Sequence, residues 1–508
     1  MNKINVQISE LRYSSSYVYI PYTYGCLRAY CEQYPSLQKN VHWQDPLFNL
    51  TYEFDAIERI AQSLEKPDVL GISCYMWNHK KNLLLAKEVK KEYPNCLVVA
   101  GGPSIPLHGK EYLEKYPFID VMIHGEGEIA FAEILCQLVD GVELDLKKLK
   151  GVSYLDQGKI KANIEKPRTD LPDISPYREG FFDNFLKSAR SLDKEVIGVL
   201  ETNRGCPYSC TFCDWGSMTM TKMRMLSMER IQADIDWMAE NQIREVRSSD
   251  SNFGFFSRDL EIADYLIESK QTKGFPKLFH STDSKNSKDR VFAIAKKLYD
   301  ANMILHGGSV SLQSLSDHTL ASIRRSNIGT EKYISNIDTY REHNIPFYCE
   351  LITALPGETA QSFKDGLEKL FQYRVHEDIA ILPLALLENA PMNESKYKTQ
   401  FGIRSISKRQ YKNPVLDQDE WAETIDYVIE TSSCSASDLI ELRIFCGLVQ
   451  GLHCMGLCQL VARFVHNRFN IAYMDFYQWI FDWGRSYPDS VIGRFIKNLT
   501  QFYRDQAT

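Results

Sequence analysis

What most narrows the fold of this chain is a double alternation: short apolar runs separated by amphipathic stretches, once before residue 163 and again after residue 195. In the first block, Ile4–Ser9, Val69–Cys74, Cys96–Ala100 and Val121–His124 read as strands. Tyr22–Gln33, Lys80–Glu92 and a stretch reaching about Val139 read as helices. Strand and helix in strict turn argue a doubly wound parallel sheet, Rossmann-like in layout. The runs end in Gly101-Gly102-Pro103 and in Gly125-Glu126-Gly127-Glu128, which puts a ligand site at the strands' carboxyl ends. Val152–Leu155 and Lys159–Ala162 predict a small closing hairpin.

The second block predicts strands at about 196–202, 244–250, 277–283, 303–312, 346–352 and 378–384, with helices between. Ser227 is placed to cap one of these helices, with Ile231, Ile235 and Met238 on its apolar face. Six such units are too few for a closed eight-fold barrel, so a partial (β/α)6 barrel is expected. Between the blocks, Pro167, Pro172 and Pro176 punctuate a stretch without sustained period. From about Asp417 the pattern becomes helical and aromatic. The expected division is therefore a sheet domain at 1–163, a linker at 164–194, a partial barrel at 195–400 and a helical domain at 401–508.

A length of 508 residues calls for more than one domain, and 44% apolar with 25% charged residues is the balance of a soluble globular protein. The net charge of −7 argues against a nucleic-acid binder, which needs a basic surface. Met1–Glu10 has no apolar core of a signal peptide. The apolar run around Ile444–Cys458 is too short for a membrane span and is interrupted by Gln450 and His453. A cytoplasmic protein without membrane or nucleic-acid partners is the expectation. Thirteen cysteines in such a chain are mostly small buried hydrophobes.

Three of them stand apart. Arg204-Gly205-Cys206-Pro207-Tyr208-Ser209-Cys210-Thr211-Phe212-Cys213-Asp214-Trp215 puts three thiols within eight positions, on a loop leaving the first barrel strand. Gly205 and Pro207 favour a turn. Thiolates are the usual ligands of iron–sulfur clusters, and a [4Fe–4S] cube with three cysteines keeps one iron open, as a catalytic metal keeps an open position. A structural zinc site, with Asp214 or a distant histidine as fourth ligand, or three unrelated core cysteines are the alternatives on residue type alone.

The C-x3-C-x2-C spacing, with an aromatic before the third cysteine, resembles the radical S-adenosylmethionine (SAM) superfamily. That resemblance implies a [4Fe–4S] cluster on Cys206, Cys210 and Cys213, with SAM chelating the open iron and an electron splitting its S–C bond to a 5′-deoxyadenosyl radical. It places Phe212 against the adenine, Ser249 or Asp250 near the methionine amino group, and Gln313 near the ribose. Leu355-Pro356-Gly357-Glu358-Thr359 looks like the family's adenine-side loop, although turn chemistry and helix capping account for such residues equally well.

A sheet domain ahead of such a barrel is similar to the cobalamin-binding subgroup of that superfamily. The carrying residues are Tyr75, Met76, Trp77 and Asn78, then Gly101, Gly102 and Pro103, then Gly125, Glu126, Gly127 and Glu128. The glycines let backbone approach a large flat ligand. Many cobalamin domains carry Asp-x-His-x-x-Gly, whose histidine ligates cobalt from below. This chain has no such run, and His79 stands among residues that do not match it. Several members of the subgroup also lack that histidine; Trp77 is the candidate for covering that face, with a core aromatic as the alternative. The early cysteines lack a methylthiotransferase's second-cluster pattern, and the glycines lack the G-x-G-x-x-G of a dinucleotide site. Among the late cysteines, Cys454 and Cys458 would share a helix face.

The implied activity is methylation of an unactivated carbon, or phosphorus, centre. One SAM methylates cob(I)alamin, another yields the radical, and the substrate radical takes methyl from methylcobalamin. A small-molecule or peptide substrate and an external electron donor such as flavodoxin or ferredoxin are the implied partners. Cyclisation or rearrangement without methyl transfer is the enzymatic alternative, and a non-catalytic cobalamin or redox sensor is the alternative of another class. Glu388–Asn393, after the sixth barrel strand, is a candidate for substrate contacts.

Overall fold

Val69–Ser73 is buried at every position, and its successive side chains feed two different cores. Val69 packs with Phe131, Ile134 and Leu135, while Leu70 and Ile72 pack with Leu83, Leu85 and Val89. Such double burial is what a parallel strand between two helix layers requires. The computed structural model describes the chain apart from residues 1–2, 12–15, 49–56, 108, 164–170, 216–222, 286–287, 305–307, 377, 411–418 and 508. The first of the predicted linker residues, with Pro167, lie outside the described residues.

The first sheet runs Val41–Trp43, Ile4–Ser9, Val69–Ser73, Leu97–Gly101, Val121–Ile123, Val152–Asp156, Lys159–Asn163. It is parallel as far as Val121–Ile123, and the predicted hairpin closes it antiparallel. The chain winds outward in both directions from Ile4–Ser9, so the strand order reverses there. A crevice therefore opens at the carboxyl ends of Ile4–Ser9 and Val69–Ser73.

All six predicted barrel strands form. Glu195–Leu200, Glu245–Ser248 and Leu278–His280 pair in parallel, as do Ser309–Gln313, Tyr348–Thr353 and Ile379–Pro383. Tyr17–Tyr19 was not foreseen: it leaves the N-terminal block and pairs in parallel with Glu195–Ile197, at the edge of the barrel.

Three further expectations are corrected. The segment without period carries a helix, Asp183–Ser191, whose Phe185, Leu186 and Ala189 are buried. Tyr177, Phe181 and Phe182 join them in the core shared by sheet and barrel. Phe182, Phe185, Leu186 and Ala189 in fact recur at helical spacing, but over a single short helix that follows the proline-punctuated stretch directly.

The C-terminus is helical from Ala436 to Ala507, but a three-stranded antiparallel sheet precedes it: Ala385–Leu386, Thr424–Glu430, Arg404–Arg409. In Thr424-Ile-Asp-Tyr-Val-Ile-Glu the β-branched residues recur at strand-favouring positions, and only Val428 is fully buried. Cys454 and Cys458 do not share a helix face. Gly456, at φ +83°, breaks the chain between them, and the flanking helices bend by 91°. Among the described residues no single helix is long and apolar enough to cross a membrane.

Candidate active site

The cysteine loop is held at its neck by a two-stranded ribbon, in which Asn203–Arg204 pairs antiparallel with Arg224–Met225. Gly205, at φ +110°, turns the chain directly before Cys206. Beyond it the backbone is irregular and pinned from outside. Thr211 N–H donates to the Ile323 carbonyl (3.0 Å), and Met392 N–H donates to the Thr211 carbonyl (2.9 Å). The loop is thereby fixed to the elements after the fourth and sixth barrel strands.

The three thiols are partly exposed and free of disulfides. Asn252 Nδ2 donates to Cys206 Sγ (3.4 Å), and Arg325 Nη1 lies 3.7 Å from Cys210 Sγ. Lys285 Nζ sits 3.8 Å above the Tyr208 ring. Burial, with Arg325 adding to it, lowers its pKa to about 8. Two cations and an amide beside Cys206 and Cys210 suit an anionic cluster, whose sulfurs take N–H donors.

Ser249 Oγ and Gln313 Oε1 are buried atoms without a hydrogen-bond partner. Gln313 also sits at φ +67°, at a register irregularity of its strand. Buried polar atoms left so are ordinarily satisfied by a ligand or by water. Asp250 differs. Its carboxylate accepts from Thr202 N–H (2.8 Å), Thr202 Oγ1 (2.5 Å) and Asn203 N–H (3.1 Å), tying down the start of the ribbon. Burial pushes that carboxyl up to about 7. Phe212 packs on the cluster of Ile323, Leu355 and Met392. The Leu355–Thr359 loop has a capping role: Thr359 and Ser362 form a capping box, and the buried Glu358 accepts from Ser314 and Ser362.

At the sheet's carboxyl edge the predicted loops converge. Cys74 N–H donates to the Gly101 carbonyl (2.7 Å). Gly102 has φ +107°, and a Cβ there would lie 2.5 Å from the Cys74 carbonyl oxygen. The Tyr75 and Trp77 rings stack at 4.6 Å, and Asn78 Oδ1 accepts from Tyr75 N–H (2.7 Å). His79 is held away: its Nε2 bonds Tyr112 Oη at 2.6 Å, and burial lowers its pKa to about 3.

Several contacts escaped the sequence reading. Asn389 Nδ2 donates to the Pro103 (2.8 Å) and Ile105 (2.9 Å) carbonyls, and its Oδ1 accepts from Leu107 N–H (3.0 Å). Glu423 accepts from Lys80 N–H (3.1 Å) and Lys81 N–H (2.9 Å), capping the helix His79–Glu92. Gln410 Nε2 donates to the Met76 carbonyl (3.0 Å). Glu126 and Glu128 pair with Arg224 and Arg204 across the junction of sheet and barrel. Met76, Glu126, Glu128 and Asn389 fell within stretches the sequence had singled out for ligand or substrate, and Arg204 opens the cysteine loop; Gln410, Glu423 and Arg224 carried no signal.

Comparison with known proteins agrees with this geometry. The Radical SAM superfamily profile matches residues 200–370 and the B12 binding domain profile residues 39–135. The chain is 37% identical over 492 residues to the 2-(S-pantetheinyl)-carbapenam-3-carboxylate methyltransferase of Streptantibioticus cattleyicolor, spanning 96% of this chain and 71% of that protein. It is 37% identical over 495 residues to the cobalamin-dependent radical SAM methyltransferase TokK of Streptomyces tokunonensis, spanning 97% and 72%. The structure of the radical SAM methyltransferase TsrM from Kitasatospora setae, with cobalamin and a [4Fe–4S] cluster bound, matches with a TM-score of 0.63. That match has 15% identity and covers 87% of this chain and 91% of that one, a likeness of fold.

Proposed function

This chain belongs to the cobalamin-dependent radical SAM methyltransferases, and we propose that it methylates an unactivated carbon of a carbapenam-type carboxylate bearing a pantetheine-like thioether. The observation that carries the substrate class is 37% identity across 96% of the chain to a methyltransferase named for such a compound. Its cofactors are a [4Fe–4S] cluster, SAM and cobalamin. When bound, cluster and SAM supply a 5′-deoxyadenosyl radical and cobalamin supplies the methyl group.

The chain's own part is placement. Cys206, Cys210 and Cys213 hold the cluster, with Arg325 and Lys285 offsetting its charge. Ser249 Oγ and Gln313 Oε1 take polar atoms of SAM, Phe212 meets its adenine, and Asp250 supports the loop from behind. The Tyr75–Asn78 and Gly101–Pro103 loops, with Gly125 and Gly127, line the cobalamin edge. With His79 engaged by Tyr112, Trp77, stacked on Tyr75, is the side chain that would lie against cobalamin in place of a histidine. Residues 1–163, 195–400 and 401–508 act as sheet, barrel and C-terminal units, with 164–194 joining the first two. A cytoplasmic ferredoxin or flavodoxin supplies the electron.

Anaerobically reconstituted protein, given methyl-labelled SAM, cobalamin, a low-potential reductant and such a carbapenam, should release 5′-deoxyadenosine and S-adenosylhomocysteine. The product should be heavier by one labelled methylene. Loss of hydrogen without mass gain would assign cyclisation instead, and absence of deoxyadenosine would remove the radical reading altogether.

A further inference from the structure

The ribbon at the neck of the cysteine loop sets Arg204 and Arg224 directly opposite each other, in cross-strand register. Like charges in that relation repel, and both guanidinium groups are largely buried, which raises the cost. Each is neutralised from the other unit. Arg204 Nη2 meets Glu128 Oε1 at 2.7 Å, and Arg224 Nη1 donates to Glu126 Oε2 at 3.1 Å, with a second contact through Nη2. The two glutamates flank Gly127 on the loop that leaves the sheet strand Val121–Ile123, and Glu128 opens the helix Glu128–Val139. Arg204 is further held by Glu201, through Nε (2.7 Å) and Nη2 (3.0 Å). The sheet's ligand edge thus supplies one carboxylate to each arginine of the ribbon.

Position gives the pairing its consequence. Arg204 stands two residues before Cys206, and Arg224 is the first strand-paired residue after the loop among the described residues, so both ends of the cluster-bearing segment are gripped by one sheet loop. We propose that this two-arginine, two-glutamate clasp sets the separation between the cobalamin edge and the cluster, and thereby couples radical formation to methyl transfer. It rests on the methyl-transfer reading above. A radical formed on substrate must find the methyl donor at near-contact distance, and a misplacement of ~1 Å costs on the order of 100-fold in such steps. These four are positioning residues: each acts through the loop it holds. Lysine would not serve for Arg224, because the two-pronged contact needs the planar fork.

The test uses the cofactor-loaded enzyme carrying Glu126→Gln with Glu128→Gln. Its first readout is independent of turnover: the magnetic dipolar coupling between cob(II)alamin and the reduced cluster, measured by pulsed electron paramagnetic resonance. The wild type should give one narrow distance and the double variant a broad spread. The second readout is deoxyadenosine formed per methylated product, which should rise about tenfold or more from near one. An Arg224→Glu, Glu126→Arg exchange should recover much of the narrow distance, whereas Arg224→Glu alone should not. A narrow, unshifted distance with an unchanged ratio in the double variant would overturn the proposal. If that variant fails to retain its cofactors, Glu126→Gln alone, at the outer pair, is read by the same two criteria. Wild-type enzyme that makes deoxyadenosine but no methylated product would refute the methyl-transfer reading, while the distance measurement would still decide the clasp.

Discussion

Replacing Gly102 by alanine isolates what the sheet's ligand edge demands of its backbone. At φ +107°, an L-residue pays a conformational penalty of roughly 1–2 kcal/mol. The added Cβ would also lie 2.5 Å from the Cys74 carbonyl oxygen and 2.9 Å from its nitrogen, both backbone atoms that cannot swing aside. Forcing such an overlap apart costs about 1–3 kcal/mol more, by analogy with overpacked cores. The sum is about 2–5 kcal/mol, which for a unit of this size lowers the melting temperature by roughly 5–15 °C. Gly141 supplies the control, because it too has positive φ (+68°) but nothing lies within 4 Å of its Cβ position. Gly141→Ala should cost only the conformational part. Thermal unfolding of the cofactor-free full chain reads both variants, and a cobalamin titration in the cold then shows whether the surviving Gly102→Ala fold has lost its ligand edge. If Gly102→Ala melts no lower than Gly141→Ala and binds cobalamin like the parent, the close approach of the two loops is not what the glycine serves.

Cys210→Ala should abolish deoxyadenosine release while leaving cobalamin uptake largely intact; joint loss of both would show that the two sites do not stand apart. Arg325→Met removes a cation 3.7 Å from Cys210 Sγ, so the cluster's midpoint potential should become more negative in a redox titration followed by paramagnetic resonance. Burial holds the Glu423 carboxyl at about 7, above its ordinary 4.5, so the folded state binds that proton more tightly than the unfolded one. Stability should therefore fall as pH rises from about 4.5 through 7. Glu423→Gln should make the urea midpoint less dependent on pH across that window, with Asp234 and Asp250, also pushed to about 7, retaining the remainder. An unchanged slope would place the carboxylate's proton elsewhere.

The parts of this molecule readable from sequence were those whose cause is local. Six barrel strands, the sheet strands other than the short edge strand Val41–Trp43, and the cysteine loop announce themselves by period, by glycine and by spacing within a dozen residues. What stayed hidden is long-range. Nothing near Glu423 marks it as the cap of a helix that starts at His79, and nothing near Asn389 marks its three bonds to the 103–107 loop. Ser249 and Asp250 were indistinguishable as neighbours in sequence. Burial separates them: one carboxylate is saturated by the ribbon's start, and one hydroxyl is left over. The antiparallel sheet before the C-terminal helices was missed because its residues are only half-buried, which blurs alternation. The pairing of Cys454 with Cys458 failed on a single glycine at their midpoint.

The short strand Tyr17–Tyr19 has a consequence for anyone wishing to cut this protein in two. Because it hydrogen-bonds along Glu195–Ile197, a fragment starting after residue 163 would expose a naked edge of the barrel, with unsatisfied amides and carbonyls ready to pair with a neighbouring molecule. A fragment ending there would carry a stray ribbon with no mate. Recombination that swaps front halves between relatives must therefore bring a matching strand along, and during synthesis Tyr17–Tyr19 waits unpaired until Glu195–Ile197 has emerged.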